Sequence, residues 1–335
     1  MPSSPLPDDS PGAVRVSVVV PVRDRRQLLV ELLAALDAQT FRRFEVVVVD
    51  DGSTDGSAEA AATRVVAGRP VRLQRADRVG AVVARTIGVA ASIGEILAFT
   101  DSDCFPEAAW LARGVAAIDG GADVVNGRTR PARAMKPRDR SVASGREGLY
   151  PTCNMFYRRS AFDGVGGFDV DAAGSLGFRV GALARGTGFG EDTLLAWRAR
   201  RAGAVVVYDP EAIVDHHVFP PDWRDLVSRW TQVAAFPALV RDVPELRSTI
   251  VRRRVLFGDS SRVPAYVFGL ALLTRRRSLM ATVLAWWAVR RLLDLRRFPV
   301  SWPERIAALP AEMATDAAMG VAYVVGSARA RTLVL

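Results

Sequence analysis

Over the first 130 residues, apolar positions fall into short solid runs separated by stretches with helical spacing. "VRVSVVV" (14–20) is an almost unbroken β-branched run, the pattern of a strand buried on both faces. "RRQLLVELLAALDAQ" (25–39) places Leu at three- and four-residue intervals and reads as an amphipathic helix. The alternation continues with "FEVVVVD" as a strand, "SAEAAATRVVAG" (57–68) as a helix closing on Gly68, and "VRLQR" as a third strand. "GAVVARTIGVAAS" then reads as a helix and "EILAFT" as a fourth strand. Strands interleaved with helices predict an α/β fold with a mostly parallel, Rossmann-like sheet. In such sheets ligands sit beyond the carboxyl ends of the strands. Two acidic clusters, Asp50–Asp51 and Asp101–Asp103, fall at those ends and are expected to share one crevice.

Beyond this block the pattern loosens. "RTRPARAMKPRDR" and "DAAGSLGFRVGALARGTGFG" read as Gly- and Arg-rich loops, and long loops in a compact domain are commonly functional. From about residue 221 the chain turns helical and rich in Arg and Trp. The expected domains are a lead-in over 1–12, an α/β domain over 13–220 and a helical region over 221–335. The lead-in, "MPSSPLPDDSPG", is Pro- and Asp-rich, reads as disordered and lacks the apolar segment of a signal peptide. Only two cysteines, Cys104 and Cys153, are present, too few for a disulfide framework, so a reducing, cytoplasmic setting is expected.

The net charge of +9 changes the picture through its placement. Residues 251–335 hold 14 Arg against 5 acids, a balance of +9, which leaves residues 1–250 neutral. Lys136 is the only lysine, so the preference for Arg is general, but the lopsidedness is not explained by it. Within this tail, "VPAYVFGLALLT" (263–274) and "SLMATVLAWWAV" (278–289) flank Arg275–Arg277, and each is too short to span a bilayer. Trp286, Trp287 and the arginines fit helices lying in an anionic membrane interface; a helical cap on the catalytic domain is the alternative. A nucleic-acid partner is disfavoured, because the neutral first 250 residues lack a basic groove lined with aromatics.

"TDSDC" sets Asp101 and Asp103 one residue apart at a strand end, an all-oxygen pair suited to Mg2+ or Mn2+. In "GFGEDTLLAWRARR", Glu191 and Asp192 open a helix, where carboxylates also serve as plain first-turn charges. His216 and His217 are the only histidines, and in an extended segment their side chains diverge, so at most one serves a site. No G-x-G-x-x-G follows the first strand, which argues against a nucleotide oxidoreductase.

Five segments, in this order, carry a resemblance: "VSVVVPVRDRRQLL", "FEVVVVDDGSTDGS", "RVGAVVARTIGVAASIGEILAFTDSDC", "NMFYRRSAFDGVGGFD" and "GFGEDTLLAWRARRAG". Together they resemble the family 2 glycosyltransferases of GT-A fold over residues 14–218. The resemblance implies a nucleotide-sugar donor, here a UDP-sugar, lying across the carboxyl edge of the sheet. It implies that Pro21, Asp50 and Asp51 hold the nucleoside, with Arg85 and Asp101 also reaching the donor. Asp103, Asp101 and His217 would hold metal and diphosphate. Asp192 would be the base, with Glu191, Gly166 and Gly167 near the acceptor. One carboxylate base without a second nucleophile implies inversion. Thr86 stands where the family often has Asn, and Leu226 in "RDLVSRW" stands where processive members have Gln, which argues against a polymerase. The acceptor is expected to be a glycan, lipid-linked or small-molecule hydroxyl, and the enzyme to be cytoplasmic or peripheral on the inner face of the plasma membrane. A polyprenyl phosphate acceptor and a catalytically inactive sugar-nucleotide scaffold remain as alternatives.

Overall fold

The computed structural model describes residues 13–145, 148–170, 190–252, 256–257 and 262–334. The lead-in, most of the second Gly/Arg-rich loop and the Leu226 side chain lie outside the described residues. The chain forms two compact units. The first comprises Met1–Arg128, Thr152–Gly167 and Ala202–Val214; the second comprises Thr129–Pro151, Phe168–Arg201 and Asp215–Leu335.

Among the described residues the strands are β1 (Val16–Val22), β2 (Phe44–Asp51), β3 (Val65–Val66), β4 (Arg69–Pro70), β5 (Arg72–Ala76), β6 (Ile96–Phe99), β7 (Cys104–Pro106), β8 (Val124–Pro131), β9 (Met155–Arg158), β10 (Val206–His216), β11 (Val251–Arg252) and β12 (Leu256–Phe257). The main sheet has the order β5-β2-β1-β6-β9-β8-β10-β7. Its first four strands are parallel, as the interleaved helices require, and β9 then pairs antiparallel with both β6 and β8. β1 and β2 are buried at every position. Helix Arg26–Asp37 covers one face with Leu29, Leu32, Leu33 and Leu36, the stripe that its Leu spacing predicts. On helix Ala81–Ala90, Gly88 sits where a Cβ would come within 2.5 Å of Val19 Cγ1. That missing side chain lets the helix lie close on the sheet.

One predicted helix is cut short. Only Ser57–Ala62 is helical; Val65–Val66 and Arg69–Pro70 form an antiparallel ribbon instead. Its turn residues, Ala67 and Gly68, both have positive φ, 52° and 73°. A two-residue turn with that hand matches strand twist, and the β-branched Thr63, Val65 and Val66 favour strand over helix.

In the second unit, helices Glu191–Arg201, Trp223–Asp242, Arg262–Thr274, Arg277–Asp294 and Trp302–Ala330 dominate. The last begins at a capping box, in which the Ser301 N–H donates to Glu304 at 2.7 Å, with Pro303 following the cap. It crosses helix Trp223–Asp242 with almost no clearance: a Cβ on Gly326 would lie 2.2 Å from the Ala234 carbonyl oxygen. Phe236 and Tyr323 meet edge to face at the same crossing. Among the described residues, no helix is long and apolar enough to cross a membrane.

Candidate functional site

In the first unit, the carboxyl ends of β2, β1 and β6 lie side by side. Val22 is in register with Asp50 and Val19 with Phe99, so Pro21, Asp50–Asp51 and the segment after Phe99 reach one edge together. Pro21 has no N–H to give to the ladder at this point.

Strand alternation sends the two adjacent acids to opposite faces. Asp51 accepts the Val79 N–H at 2.6 Å and the Gly80 N–H at 2.9 Å, and so fixes the turn that starts helix Ala81–Ala90. Asp50 is 3% exposed; its Oδ2 accepts one long bond from the Ser53 N–H at 3.4 Å. Its Oδ1 is buried without a hydrogen-bond partner among the described residues. The two adjacent carboxylates thus differ in use: Asp51 builds a turn, and Asp50 Oδ1 has no donor among the described residues.

The loop after Asp51 is tied to the end of β1. The Asp24 N–H donates to Ser53 Oγ at 3.0 Å, Thr54 N–H to Asp24 at 2.7 Å, and Arg26 N–H to Asp55 at 2.8 Å. Its Ser, Thr and Asp residues are therefore largely spent on local structure.

Arg85, buried on helix Ala81–Ala90, donates from Nη2 to Asp101 Oδ1 at 2.6 Å. Asp101 and Asp103 are half-buried on the turn that the Cys104 N–H closes on the Asp101 carbonyl at 3.0 Å. Below them Cys104 and Cys153 are buried, and burial, with Cys153 alongside, pushes the Cys104 thiol well above its ordinary range. Thr100, fully buried just before the acids, has a hydroxyl with no partner among the described residues. Sequence reasoning passed over it; its signal is a polar residue closing an otherwise apolar strand. Gly166 and Gly167 form a tight turn with φ of 77° and 64°, closed by their N–H groups on the Asp163 and Phe162 carbonyls. Only glycine takes two such values cheaply.

Asp192, Glu191 and His217 belong to the second unit. Glu191 and Asp192 open helix Glu191–Arg201, and the Thr193 N–H donates to Asp192 Oδ1 at 2.7 Å. This helix is pinned to the Gly148–Tyr150 segment. The Thr193 hydroxyl bonds the Leu149 carbonyl, Trp197 Nε1 donates to the Gly148 carbonyl at 2.9 Å, and the Tyr150 ring packs edge-on against Trp197. Asp192 is thus presented from a firmly held first turn. His216 is buried, its Nδ1 at 2.8 Å from the His217 carbonyl and 3.2 Å from Ser141 Oγ. His217 is half-buried and meets the Phe219 ring at 4.6 Å.

Comparison with known proteins adds to this geometry. Residues 17–173 match the profile of Glycosyl transferase family 2. Glycosyltransferase AglE of Haloferax volcanii is 34% identical over 168 residues, which are 46% of this chain and 55% of AglE. Pre-mycofactocin glycosyltransferase of Mycobacterium tuberculosis is 29% identical over 244 residues, 65% of this chain and 46% of that protein. The chain spans about half the length of these curated relatives. Among solved structures, the mannosyltransferase PcManGT of Pyrobaculum calidifontis, in complex with GDP-Man and Mn2+, has a TM-score of 0.53 at 18% identity. That match covers 96% of this chain and 88% of the other. S. aureus TarS 1–349 in complex with UDP-GlcNAc gives 0.51 at 17% identity, covering 95% and 92%. At these identities the likeness is one of fold, and the fold is GT-A.

Proposed function

We propose, on the premise that its residues 17–173 make this chain a member of Glycosyl transferase family 2, that it is an inverting sugar transferase. It would move a sugar from a nucleoside-diphosphate donor to a hydroxyl acceptor. One observation carries the donor half: Asp50 Oδ1, buried at the shared edge of β1, β2 and β6 and without a hydrogen-bond partner among the described residues. A nucleoside offers N–H and O–H donors to such an oxygen. PcManGT is bound to GDP-Man and TarS to UDP-GlcNAc, and the reading adopted for this chain is a UDP-sugar.

Asp101 and Asp103 fit Mg2+ or Mn2+ by the chemistry of the donor set: half-buried carboxylates on one turn, one of them steadied by Arg85. When bound, the ion supplies positive charge to the leaving diphosphate. The chain's own residues do the rest. Arg85 orients Asp101 through its 2.6 Å bond, and His217 is assigned to the metal and diphosphate. Asp192 accepts the proton of the attacking hydroxyl. Glu191, Gly166 and Gly167 belong to the acceptor region. In this reading residues 13–220 are the catalytic domain, and the helical remainder makes the protein peripheral on the cytoplasmic face of a membrane. Acceptors are a glycan, a lipid-linked or a small-molecule hydroxyl.

The test is calorimetric titration of UDP with Mn2+, with EDTA, and with Asp103→Ala. Metal should tighten UDP binding at least tenfold and Asp103→Ala should remove that gain. Equal UDP affinity with and without metal refutes the metal assignment, and no affinity for any nucleotide or nucleotide sugar refutes the donor site.

A further inference from the structure

The C-terminal helices of the second unit bury charge and expose apolar side chains. Beside Val283, Trp287, Met319 and Tyr323, their buried side holds an ionic cluster. Asp316 accepts hydrogen bonds from Trp287 Nε1 at 3.0 Å and from Arg291, and Glu312 lies 3.6 Å from Arg291 Nε and 4.0 Å from Arg138 Nε. Burial pushes the Glu312 carboxyl up, against the pull of Arg291. Their solvent face, by contrast, is apolar. On helix Arg277–Asp294 the exposed Leu279, Trp286, Val289 and Leu293 recur at intervals of seven, three and four, one continuous stripe. On helix Trp302–Ala330 the exposed Trp302, Ile306, Met313, Val321 and Val324 run the length of the helix. Leu270 and Leu273, the latter 80% exposed, extend the apolar surface onto helix Arg262–Thr274. Helices that face water carry charge on that side; a run of exposed apolar residues this long marks a partner surface.

Charge chooses the partner. Arg275, Arg276 and Arg277 are exposed at one inter-helix turn, and Arg296 and Arg297 at the next. Residues 262–334 hold 11 Arg and 4 acids, a balance of +7, and two of those acids are the buried Glu312 and Asp316. Pairing with a second copy would bring two such cationic surfaces together. An anionic headgroup layer accepts both the apolar faces and the arginines.

We propose that these three helices form an in-plane binding surface for a bilayer containing anionic phospholipid. Leu273, Trp286, Met313, Val321 and Val324 would enter the acyl boundary, and Arg275–Arg277 and Arg296–Arg297 would sit among the phosphates. This deepens the peripheral-membrane part of the proposed function and rests on it. The test is co-sedimentation of the full chain with vesicles of phosphatidylcholine alone, or mixed with phosphatidylglycerol, with UDP titration in parallel. Binding to the mixed vesicles is expected. It should fall on the order of a hundredfold in Leu273→Glu/Trp286→Glu/Val324→Glu, whose changes lie on exposed positions and should leave the melting temperature unaltered. Replacing Arg275, Arg276 and Arg277 by Gln should weaken binding most at low salt. Failure of the full chain to bind mixed vesicles overturns the proposal. So does a chain that is dimeric by sedimentation and becomes monomeric in the Glu variant without ever binding vesicles, which assigns the face to a second copy. UDP binding that survives either failure leaves the transferase reading standing; its loss in the unaltered chain strikes that reading instead.

Discussion

Replacing Asp50 by Asn separates what this residue does for the fold from what it does for a ligand. The carboxylate is almost wholly buried and, among the described residues, accepts only the 3.4 Å bond from Ser53. A buried polar atom without a partner costs about 1–3 kcal/mol, and more when charged. Asn has the same shape, carries no charge and can keep the Ser53 bond, although its amide still lacks an acceptor. The net gain for the free protein should therefore be about 1–2 kcal/mol. For a domain of this size class that raises the melting temperature by about 3–6 °C. The same change removes a charge-assisted bond to the nucleoside, worth about 1.5–3 kcal/mol, so UDP should bind about 10- to 100-fold more weakly. Thermal melts near neutral pH and calorimetry with UDP and Mn2+ read both effects. A variant that melts lower and binds UDP as tightly as the parent would mean that Asp50 is an ordinary structural acid, and the donor site would lose the observation that carries it.

Two further outcomes follow from other acids. Asp192→Asn should keep donor affinity and lower turnover by about 10²–10⁴-fold, with Glu191→Gln doing less; near-parental turnover in Asp192→Asn removes it from the mechanism. Glu45 is buried, which alone would raise its pKa, but the Ser17 hydroxyl, Arg72 and the Ile93 N–H outweigh burial and hold it below 4.5. A folded-state pKa below the unfolded one contributes stability above the unfolded value that is lost as pH falls through the folded one, so Glu45→Gln should flatten the acid limb of a melting-temperature profile below about pH 4.5.

Much of the first unit was legible because β-branched runs and Leu spacing are local signals. β1, β2 and β6 and the helix between Arg26 and Asp37 fall where those patterns put them. What the pattern could not resolve depended on distant partners or on close competition. The sequence places Asp50 and Asp51 together at a strand end, and strand alternation turns their side chains to opposite faces. The N–H groups that fix Asp51 arrive from Val79 and Gly80, far along the chain, where no local pattern points to them. The helix expected through Gly68 gives way to a ribbon where β-branched Thr63, Val65 and Val66 precede Gly68, which takes the positive φ of the turn without a Cβ penalty. The antiparallel β9 follows a long excursion through the second unit, and no local period announces strand direction.

The C-terminal helices show the same limit from the other side. Charge and apolar content were plain in the sequence, but helix Arg277–Asp294 is apolar on two adjoining stripes: Val283 and Trp287 on one, Leu279, Trp286 and Val289 on the other. Periodicity alone cannot say which stripe turns inward. The deciding residues are Glu312 and Asp316 on helix Trp302–Ala330, because a carboxylate is stable inside only where a donor meets it. Arg291 follows Val283 and Trp287 at four-residue steps and supplies that donor. Once the salt bridge claims the inner face, Leu279, Trp286, Val289 and Leu293 have no other direction left than outward. The exposed apolar stripe is thus a consequence of where the buried charges pair, and the proposed bilayer partner is one that would match both the stripe and the arginines at its ends.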